Sequence, residues 1–380
     1  MSHARILFIS HDASRTGAPI LLLNLMRWIR QHTSWDLDVL LPCGGELQGE
    51  FDKLGNTLML PMWSPEWNVT AVRDRLARRR MLSRLKAGDW SLVYSNTATN
   101  GETLKILGDQ RPVVSHIHEL ATTIRSFGPD NFDSVRRHTT RYIACSDAVK
   151  SDLTNGWPIE PTAVDVIHGF VNLPPLQDDA TKAGLRCRIR RELGIPADAF
   201  VVGGSGYATW RKAPDLFIGL AHALKKRSPA ADTHFVWVGA LSPGFELPAI
   251  EHDLRGLGLE GRVHFIGGRD NPLDYFHAFD VFAMVSREDP FPLVCLEVAS
   301  IGKPIVCFDY AGGTRELVED DCGSVVPFQD IDAMADAVLK LRLCEELRRN
   351  QGQRAAAKVR LRHDIDSAAP KIVDIVERLL

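Results

Sequence analysis

Asp289 and Glu297 bracket a run of residues that otherwise has the composition of a buried helix. The segment Ser286 to Val306 has the sequence SREDPFPLVCLEVASIGKPIV, with Asp289 near its start and Glu297 in its middle. We predict a helix that begins at Pro292, whose missing N–H would be unpaired in a first turn anyway, and that stops before Gly302. A buried carboxylate without a partner is costly. The two acids therefore indicate a cationic or hydroxyl-rich ligand.

The start of this predicted helix can itself bind a ligand. The N–H groups of Leu293 and Val294 have no partner within the helix, and such groups bind anions together with the helix dipole. Helical side chains lean toward the N-terminus, so Glu297, one turn past Leu293, can reach the same end. The alternative is that Glu297 faces solvent and Asp289 only caps the helix. The apolar neighbours of Glu297 favour ligand binding by this carboxylate over simple exposure to solvent.

A pair of cations follows a glycine-rich strand end in the middle of the chain. In GGSGYATWRKAPD, Gly203 to Asp215, Arg211 and Lys212 stand just before a predicted helix. Paired cations suit a diphosphate, whose two charges need positive partners. The Gly204-x-Gly206 pattern lacks the third glycine of a dinucleotide fingerprint, so NAD binding is poorly supported. The alternative is an ordinary solvated helix start.

Two predicted strands in the first half are also followed by residues that could contact a ligand. Gly17, in a tight turn that opens a helix, would let the backbone approach a ligand closely. The stretch VVSHIHEL, Val113 to Leu120, ends a strand with His116, His118 and Glu119. A zinc site formed by the two histidines is an alternative, although no cysteine or further histidine lies nearby in the sequence.

These residues need a framework, and short apolar runs alternate with helical patterns almost throughout the chain. Near-continuously apolar strands are typical of a parallel sheet covered on both faces, and helices between them imply right-handed crossovers. The predicted strands are Arg5–Ile9, Leu37–Leu41, Thr57–Leu60, Leu92–Ser95, Val113–His116, Tyr142–Ala144, Val164–Ile167, Ala199–Gly204, Phe235–Val238, Val263–Ile266, Val281–Met284, Ile305–Phe308 and Ser324–Val326.

The alternation breaks once, at VNLPPLQDDATKAG, Val171 to Gly184, which has no periodicity and is the predicted linker. With 380 residues the chain is too long for one ordinary core. We therefore predict domains over residues 1–173 and 174–360, with a C-terminal helix in 361–380 that packs back on the first domain. Open parallel sheets bind ligands at the carboxyl ends of their strands, which predicts a cleft between the halves.

Composition excludes several classes of protein. The formal net charge is −3, so no global field favours nucleic acid. The seven cysteines form no Cys-x-x-Cys pair, which argues for reduced thiols in a cytoplasm rather than a disulfide framework or zinc site. No uncharged apolar stretch is long enough to span a bilayer. We expect a soluble cytoplasmic protein.

The motifs resemble family four of the retaining glycosyltransferases. These enzymes have the α/β GT-B fold, in which two Rossmann-like doubly wound parallel-sheet domains face a central cleft. The resemblance implies that residues 1–173 bind the acceptor and residues 174–360 the nucleotide sugar. The resemblance rests on two acids separated by seven residues, Asp289 and Glu297, on Gly302-Lys303-Pro304, and on GGTRELVE from Gly312. The sequence departs from the pattern in having aspartate rather than glutamate first, and Pro292 where glycine is usual.

The resemblance implies a nucleoside diphosphate sugar donor and retention by front-face attack, without a cofactor or a required metal ion. It implies Asp289, His118 and Lys212 as catalytic residues. Asp289 would face the donor sugar, while His118, paired with Glu119, would lie near the transferred sugar, with His116 as the second choice. The implied donor-binding residues are Gly17, Arg211, Lys212, Ile266, Gly267, Asp289, Leu293, Val294 and Glu297. Tyr207 stands where an arginine is usual in the family, and Arg211 is the compensating cation.

The implied partners are the donor and a glycan or lipid-linked acceptor, with no nucleic acid. A GT-B sugar-nucleotide epimerase would use the same cleft without an acceptor, and a non-catalytic sugar-nucleotide-binding protein is a further alternative. The segment Thr70–Lys86 is basic and is predicted to form an amphipathic helix. It is either an ordinary surface helix or a peripheral contact with anionic lipid on the inner face of a membrane.

Overall fold

The computed structural model describes residues 4–60, 69–173, 175, 177–242 and 247–380, and of residues 69–76 it describes the backbone alone. The chain divides into two compact units. The first unit runs to Asn172 and also includes Ile365–Leu380, and the second is Leu173–Asp364. None of the helices in the described ranges is long and apolar enough to cross a membrane.

The first unit is a parallel sheet of seven described strands with helices between them. Its strands are β1 (Arg5–Ser10), β2 (Asp36–Leu41), β3 (Asn56–Met59), β4 (Leu92–Asn96), β5 (Val113–Ile117), β6 (Arg141–Ala144) and β7 (Val164–Val166). Its helices are α1 (Gly17–His32), α2 (Gln48–Asp52), α3 (Val69–Ala87), α4 (Gly101–Leu107), α5 (Ala121–Ser126), α6 (Pro129–His138) and α7 (Asp147–Gly156). The strand order is β3-β2-β1-β4-β5-β6-β7.

The second unit repeats this architecture with six described strands. Its strands are β8 (Phe200–Ser205), β9 (Thr233–Val238), β10 (Val263–Phe265), β11 (Val281–Met284), β12 (Ile305–Phe308) and β13 (Gly323–Val326), in the order β10-β9-β8-β11-β12-β13. Its helices are α8 (Asp179–Glu192), α9 (Pro214–Arg227), α10 (Leu247–Gly256), α11 (Pro272–Phe276), α12 (Leu293–Ser300), α13 (Thr314–Val318), α14 (Ile331–Leu343) and α15 (Glu345–Arg362).

The closing helix, α16 (Ile365–Glu377), belongs to the first unit and packs against α1. A hydrogen bond from Trp28 Nε1 on α1 to Asp366 Oδ1 on α16, 2.7 Å long, joins the two helices. The chain therefore returns to its first unit after completing the second. The assignment of acceptor and donor binding to the two units stays a prediction.

Burial explains why the apolar runs form these strands. Strand β4 is buried along its whole length, and so are β5, β11 and β12. Helices cover such strands on both sides; in the second unit, Phe217 of α9 packs edge to face on Trp237 of β9, with ring centroids 5.3 Å apart. All thirteen predicted strands are confirmed, with ends shifted by at most two residues. The prediction of two doubly wound parallel sheets is confirmed.

The predicted linker was too long. Helix α8 already begins at Asp179, so the second half of Val171–Gly184 is helical. The physical reason is an N-cap: the Asp178 side chain accepts a 2.7 Å hydrogen bond from the Thr181 N–H, which satisfies one of the unpaired donors of the first turn. The acidic and small residues that suggested a loop are those that start this helix.

Both sheets contain a point where the strand order reverses direction. In the first unit it lies between β1 and β4, and in the second between β8 and β11. Loops that leave neighbouring strands at such a point diverge and leave a crevice at the carboxyl edge of the sheet, where ligands of open α/β sheets bind.

Candidate active site

In the second unit, Asp289 lies in the loop after β11 and is fixed by its backbone. Its N–H donates a 2.7 Å hydrogen bond to the Ala311 carbonyl, and its own carbonyl accepts from the Gly313 N–H at 3.3 Å. These bonds join the loop after β11 to the loop after the neighbouring strand β12. The side chain of Asp289 is buried, with 7% of its surface exposed. The carboxylate is therefore held in one place.

The Asp289 carboxylate receives two cations from the loop after β8. Lys212 Nζ lies 2.5 Å from Oδ2, and Arg211 Nη1 lies 3.4 Å from Oδ1. The Ser286 hydroxyl donates to Oδ2 at 3.4 Å. Burial by itself would raise the pKa of Asp289, but the positive charges of Lys212 and Arg211 and their hydrogen bonds outweigh it, so the pKa lies below its ordinary value. The carboxylate is ionised at neutral pH.

A glycine makes room for Lys212. Gly206, just after β8, has a φ of +142°, and a Cβ there would lie 2.9 Å from Cδ and 3.0 Å from Cε of Lys212. Gly206 is itself covered by Gly239, where a Cβ would lie 2.0 Å from the Gly206 carbonyl oxygen. The lysine stem therefore passes over a surface that only glycine backbone provides. Gly206 of the Gly204-x-Gly206 pattern thus leaves space for the Lys212 side chain.

Glu297 lies on α12, close enough to Lys212 for the two charges to interact. Its side chain is half-buried, and burial raises the pKa of the carboxyl group while the charge of Lys212 opposes the rise. Among the described residues, the Glu297 carboxylate has no hydrogen-bond partner; the Ser300 hydroxyl donates to the backbone carbonyl of Glu297, at 2.7 Å. A carboxylate in this setting needs a partner from outside the chain.

Helix α12 begins at Leu293, and Pro292 is its N-cap rather than its first residue. In the described parts of the chain no side chain caps this start, and the first turn contains no acidic residue. Leu293 and Val294 are partly exposed there. At the other end Gly302, with a φ of +82°, donates to the Ala299 carbonyl at 2.9 Å, which confirms the predicted stop.

Ile266 and Gly267 follow β10, at the same carboxyl edge but across β9 from β8. The Ile266 N–H donates to the Trp237 carbonyl at 3.1 Å, and the Gly267 carbonyl accepts from the Gly239 N–H at 2.9 Å. Both residues are half-buried. Gly239 thus connects the Ile266–Gly267 backbone to the glycine surface under Lys212.

Three exposed aromatic residues at this edge were not predicted as part of the site. Tyr207 and Trp210 share the loop of Lys212, and Tyr310 stands just before Ala311; their exposed fractions are 53%, 58% and 83%. The guanidinium of Arg287 stacks on Trp210, 5.6 Å from the ring centroid. Tyr310 has a φ of +57°, a left-handed conformation that is uncommon for a bulky residue. Aromatic residues just past strand ends were the available signal.

In the first unit, His118 lies one residue past β5, beside the point where β1 and β4 diverge. Its Nε2 makes a 2.9 Å hydrogen bond to Oδ1 of Asn96, the last residue of β4. Asn96 Nδ2 in turn donates to the Ala18 carbonyl in the first turn of α1, at 3.0 Å. Burial lowers the pKa of His118 to about 3, and the nearby His11 acts in the same direction. His118 is therefore a neutral imidazole at physiological pH.

Glu119, which follows His118 in the motif, holds backbone groups at this edge through its carboxylate. One oxygen of its carboxylate, Oε2, accepts hydrogen bonds from the backbone N–H groups of Ala98 and His118, at 2.9 and 3.0 Å. It thereby holds the loop that follows β4 against the loop that follows β5. The partner of the His118 ring is Asn96, which the motif did not reveal.

His116, the second choice, is fully buried, and its Nδ1 lies 2.8 Å from the Tyr94 hydroxyl. Its ring lies 4.0 Å from that of His118, centroid to centroid. In the part of the chain that the structure describes, no third His, Cys, Asp or Glu side chain joins these two histidines in a group of possible metal ligands. The hydrogen-bond partners of the two rings are neutral polar side chains, Tyr94 for His116 and Asn96 for His118.

Gly17 is the first residue of α1 and is exposed. The N-cap of the helix is Thr16, whose hydroxyl lies 2.9 Å from the Ser14 hydroxyl and does not cap the helix, and the first turn has no acidic residue. His11, in the loop between β1 and α1, has its Nδ1 buried without a partner among the described residues. The first unit therefore brings together Gly17, His118 and the unpredicted His11 and Asn96 at one sheet edge.

This pair of doubly wound units matches a known class of fold. HepE of Anabaena, solved in complex with UDP and glucose, superposes with a TM-score of 0.80 at 21% identity, over 99% of this chain and 100% of HepE. The likeness identifies the GT-B fold.

Residues 186–358, all in the second unit, match the family described as glycosyl transferases group 1. The D-inositol 3-phosphate glycosyltransferase of Saccharomonospora viridis is 31% identical over 57% of this chain and 50% of its own length. The protein of the same name from Kribbella flavida is 28% identical over 70% of this chain and 66% of its own length. The chain thus spans about half to two thirds of these relatives. The similarity to the glycosyl transferases group 1 thus extends over residues 186–358.

Proposed function

We propose that the chain is a retaining glycosyltransferase that moves a sugar, a hexose by resemblance, from a nucleoside diphosphate donor to a hydroxyl of a glycan or glycolipid acceptor. The observation that carries the proposal is Glu297. Its carboxylate is half-buried, interacts with Lys212 and has no hydrogen-bond partner among the described residues. Adjacent hydroxyls of a ribose are the kind of partner that such a carboxylate needs.

The donor site of this proposal lies in the second unit. Lys212, Arg211 and the uncapped N–H groups of Leu293 and Val294 would hold the diphosphate. The half-buried backbone at Ile266 and Gly267 would line the base. HepE was solved with UDP and glucose, and the two bacterial relatives are named glycosyltransferases. Both facts support a nucleotide-sugar donor, with UDP as the first base to test.

The chemistry proposed is displacement of the diphosphate with attack from the same face. The C–O bond between the sugar and the diphosphate breaks, the acceptor oxygen forms the new bond, and the acceptor proton goes to the leaving phosphate. The protein stabilises the negative charge that grows on that phosphate. Asp289 contributes by fixing Lys212, because its own carboxylate is buried and paired. Gly17 and neutral His118 belong to the half assigned to the acceptor and the transferred sugar.

The first experiment is a thermal-shift panel of UDP-, GDP-, ADP- and dTDP-sugars on the wild type, Glu297→Ala and Glu346→Ala. Glu346 is an exposed glutamate in the first turn of α15, and it is the matched control. We expect one nucleotide class to raise the unfolding temperature of the wild type and the control but not of Glu297→Ala. The absence of a shift with every donor would reject the donor site.

Product analysis separates the reaction classes. The protein is incubated with the stabilising donor and candidate acceptors, and the products are followed by nuclear magnetic resonance. A glycosylated acceptor with the anomeric configuration of the donor supports the proposal, and an inverted one rejects retention. An epimerised nucleotide indicates the epimerase, and binding without any product after a broad acceptor screen indicates a non-catalytic binding protein.

For the acceptor we propose a lipid-linked glycan reached from the cytoplasmic side. Helix α3 exposes Arg79, Arg80, Arg84 and Lys86, and four cations on one helix complement anionic lipid. Of the apolar residues of this helix, Val72 and Leu76 lie outside the described side chains, and Leu85 is buried in the unit. The contact is thus proposed to be electrostatic. The seven cysteines, all free thiols, are consistent with a reducing compartment.

A liposome assay tests this contact. Vesicles containing anionic lipid should retain the wild type at low salt and release it at high salt, because surface charges are screened. The variant with Arg79, Arg80 and Arg84 changed to Gln should lose retention. A control that changes the exposed Arg349, Arg354 and Arg360 of α15 to Gln should keep it. No retention of the wild type at low salt rejects the contact.

A further inference from the structure

Asn96 occupies a central place in the first unit that no motif assigned. It is the last residue of β4, it is fully buried, and it stands where β1 and β4 diverge. Its amide connects the first turn of α1 to the residue just past β5: Nδ2 donates to the Ala18 carbonyl at 3.0 Å, and Oδ1 lies 2.9 Å from His118 Nε2. The strand register explains the second contact. Asn96 pairs with His116 across the sheet, and His118 lies two residues further along the same face.

The contact with Ala18 decides which end of the amide faces His118. A backbone carbonyl can only accept a hydrogen bond, so the NH₂ group of Asn96 must point to Ala18. The oxygen of the amide then points to the imidazole, and an amide oxygen can also only accept. His118 must therefore donate through Nε2. A neutral imidazole with its proton on Nε2 carries a lone pair on Nδ1.

Strain at the next residue supports a special role for this position. Thr97 has a φ of +123°, a region that β-branched residues rarely adopt, and it is fully buried. Its N–H donates to the His116 carbonyl at 2.9 Å, and its hydroxyl contacts the Thr99 hydroxyl at 2.7 Å. The chain thus turns sharply just after Asn96 while the edges of β4 and β5 stay joined. Strained residues of this kind cluster at functional sites.

We propose that Asn96 is a positioning residue that fixes His118 in the Nε2–H tautomer, so that Nδ1 accepts a hydrogen bond from a hydroxyl of the bound sugar. No described residue makes a hydrogen bond to Nδ1, and His118 as a residue is only half-buried. The low pKa of His118 keeps this acceptor available at neutral pH. The sugar hydroxyl rests on the proposed function, whereas the tautomer rests on the hydrogen bonds alone.

The tautomer can be measured without any substrate. The intact protein is labelled with ¹⁵N-histidine, and long-range proton–nitrogen correlations distinguish protonated from unprotonated ring nitrogens. The variant His118→Gln assigns the His118 signals among the 13 histidines. We expect a protonated Nε2 and an unprotonated Nδ1 in the wild type. A protonated Nδ1 in the wild type would overturn the proposal.

Two variants test whether Asn96 sets this state. In Asn96→Ala the fixed acceptor is lost, and we expect both tautomers of His118 in exchange. In Asn96→Asp a carboxylate still accepts from Nε2, so the tautomer should be kept while the His118 pKa rises by at least one unit. An unchanged tautomer in Asn96→Ala would mean that Asn96 does not determine it. If neither variant folds, the wild-type spectrum alone still decides whether the tautomer exists.

Ligand addition then tests the sugar hydroxyl. The donor that raises the unfolding temperature should move the Nδ1 signal of His118, and Asn96→Ala should lower kcat/KM at least tenfold. Asn96→Asp should recover part of that loss with a pH profile displaced by the changed His118 pKa. If no nucleotide sugar binds, the proposed function fails while the tautomer stands. If a sugar donor is turned over and Nδ1 does not respond, the sugar contact is wrong.

Discussion

The ammonium nitrogen of Lys212 lies 2.5 Å from the carboxylate of Asp289, although 77 residues separate them in the chain. Lys212 belongs to the loop after β8, and Asp289 to the loop after β11. These strands are neighbours on either side of the point where the strand order of the second sheet reverses. The ion pair therefore joins two loops that would otherwise diverge, and it fixes a positive charge at the crevice between them.

Removing one partner of this pair should destabilise the protein. Lys212→Met leaves the buried Asp289 carboxylate with Arg211 as its remaining cation, and we expect a loss of about 3 kcal/mol in the free energy of unfolding, measured by chemical denaturation. This loss is at the lower end of the range for a broken buried ion pair, because Arg211 still lies near the Asp289 carboxylate. Lys212→Met combined with Asp289→Leu should recover most of this stability without restoring transfer activity.

A surface ion pair provides the control for that experiment. Arg262 and Asp232 are paired on the second unit, with 45% and 43% of their side chains exposed. Arg262→Met should therefore cost no more than about 1 kcal/mol. A Lys212→Met variant as stable as Arg262→Met would contradict the view that the Lys212–Asp289 pair holds the loops together.

Gly206→Ala tests the space that Lys212 needs. A Cβ at this position would come within 3.0 Å of the lysine stem, and the φ of +142° disfavours any side chain. We expect the lysine to be displaced and the dissociation constant of the donor to rise at least about tenfold, or 1.4 kcal/mol. Isothermal titration calorimetry with the stabilising donor measures it.

Gly184→Ala is the matched control, since a Cβ there meets no atom within 4 Å and the residue is exposed on helix α8. Alanine in a helix is more favourable than glycine by about 0.5–1 kcal/mol. The control should therefore bind the donor normally and be slightly more stable. Equal donor affinity in both alanine variants would show that Gly206 is not needed for the lysine.

The sequence predicted most of the fold, because near-continuous apolar runs identify strands that are buried on both faces. It also placed Lys212 and Asp289 at the same edge, since both follow parallel strands. It did not predict their contact, because that contact requires β8 and β11 to be adjacent strands in the sheet. Asn96 was missed for a similar reason: it reads as the polar end of a strand, and its partnership with His118 follows only from the register of β4 on β5.

The acid sensitivity of the first unit should depend on His118. Burial lowers the pKa of His118 to about 3, whereas in the unfolded chain it is near 6.5. Between these values the unfolded state binds the additional proton, so stability is highest above pH 6.5 and falls as the pH decreases. The slope from this histidine is at most about 1.4 kcal/mol per pH unit.

Unfolding midpoints of the wild type and His118→Gln between pH 4 and 7.5 measure this effect. The variant should lose less stability on acidification than the wild type. His252→Gln, at an exposed histidine of α10, should follow the wild-type profile because its ring stays in solvent. Parallel profiles for the wild type and His118→Gln would show that the His118 ring is protonated equally easily in the folded and the unfolded protein.

Tyr310→Asn should relieve backbone strain. Tyr310 has a φ of +57°, and the left-handed conformation costs a side-chain-bearing residue about 1–2 kcal/mol. Asparagine tolerates this region, and little packing is lost because 83% of the tyrosine is exposed. We expect a gain of about 1 kcal/mol in the free energy of unfolding, measured by denaturation.

Tyr207→Asn is the comparison, because Tyr207 is exposed but has no positive φ. It should not gain stability. A gain in Tyr310→Asn accompanied by weaker donor binding would indicate that the strain holds the ring for the ligand. If Tyr310→Asn is no more stable than Tyr207→Asn, the left-handed backbone at Tyr310 does not measurably lower the free energy of unfolding.

The return of α16 to the first unit makes the second unit an insert within the first. The Ile365 N–H donates a 3.0 Å hydrogen bond to the Val171 carbonyl, so the chain leaves and re-enters the first unit at adjacent backbone positions. Residues 173–364 thus form a cassette with neighbouring ends. A relative's cassette could be exchanged at these two joints without lengthening the chain. Such an exchange would test whether donor preference moves with residues 173–364 while the first unit and its histidines stay unchanged.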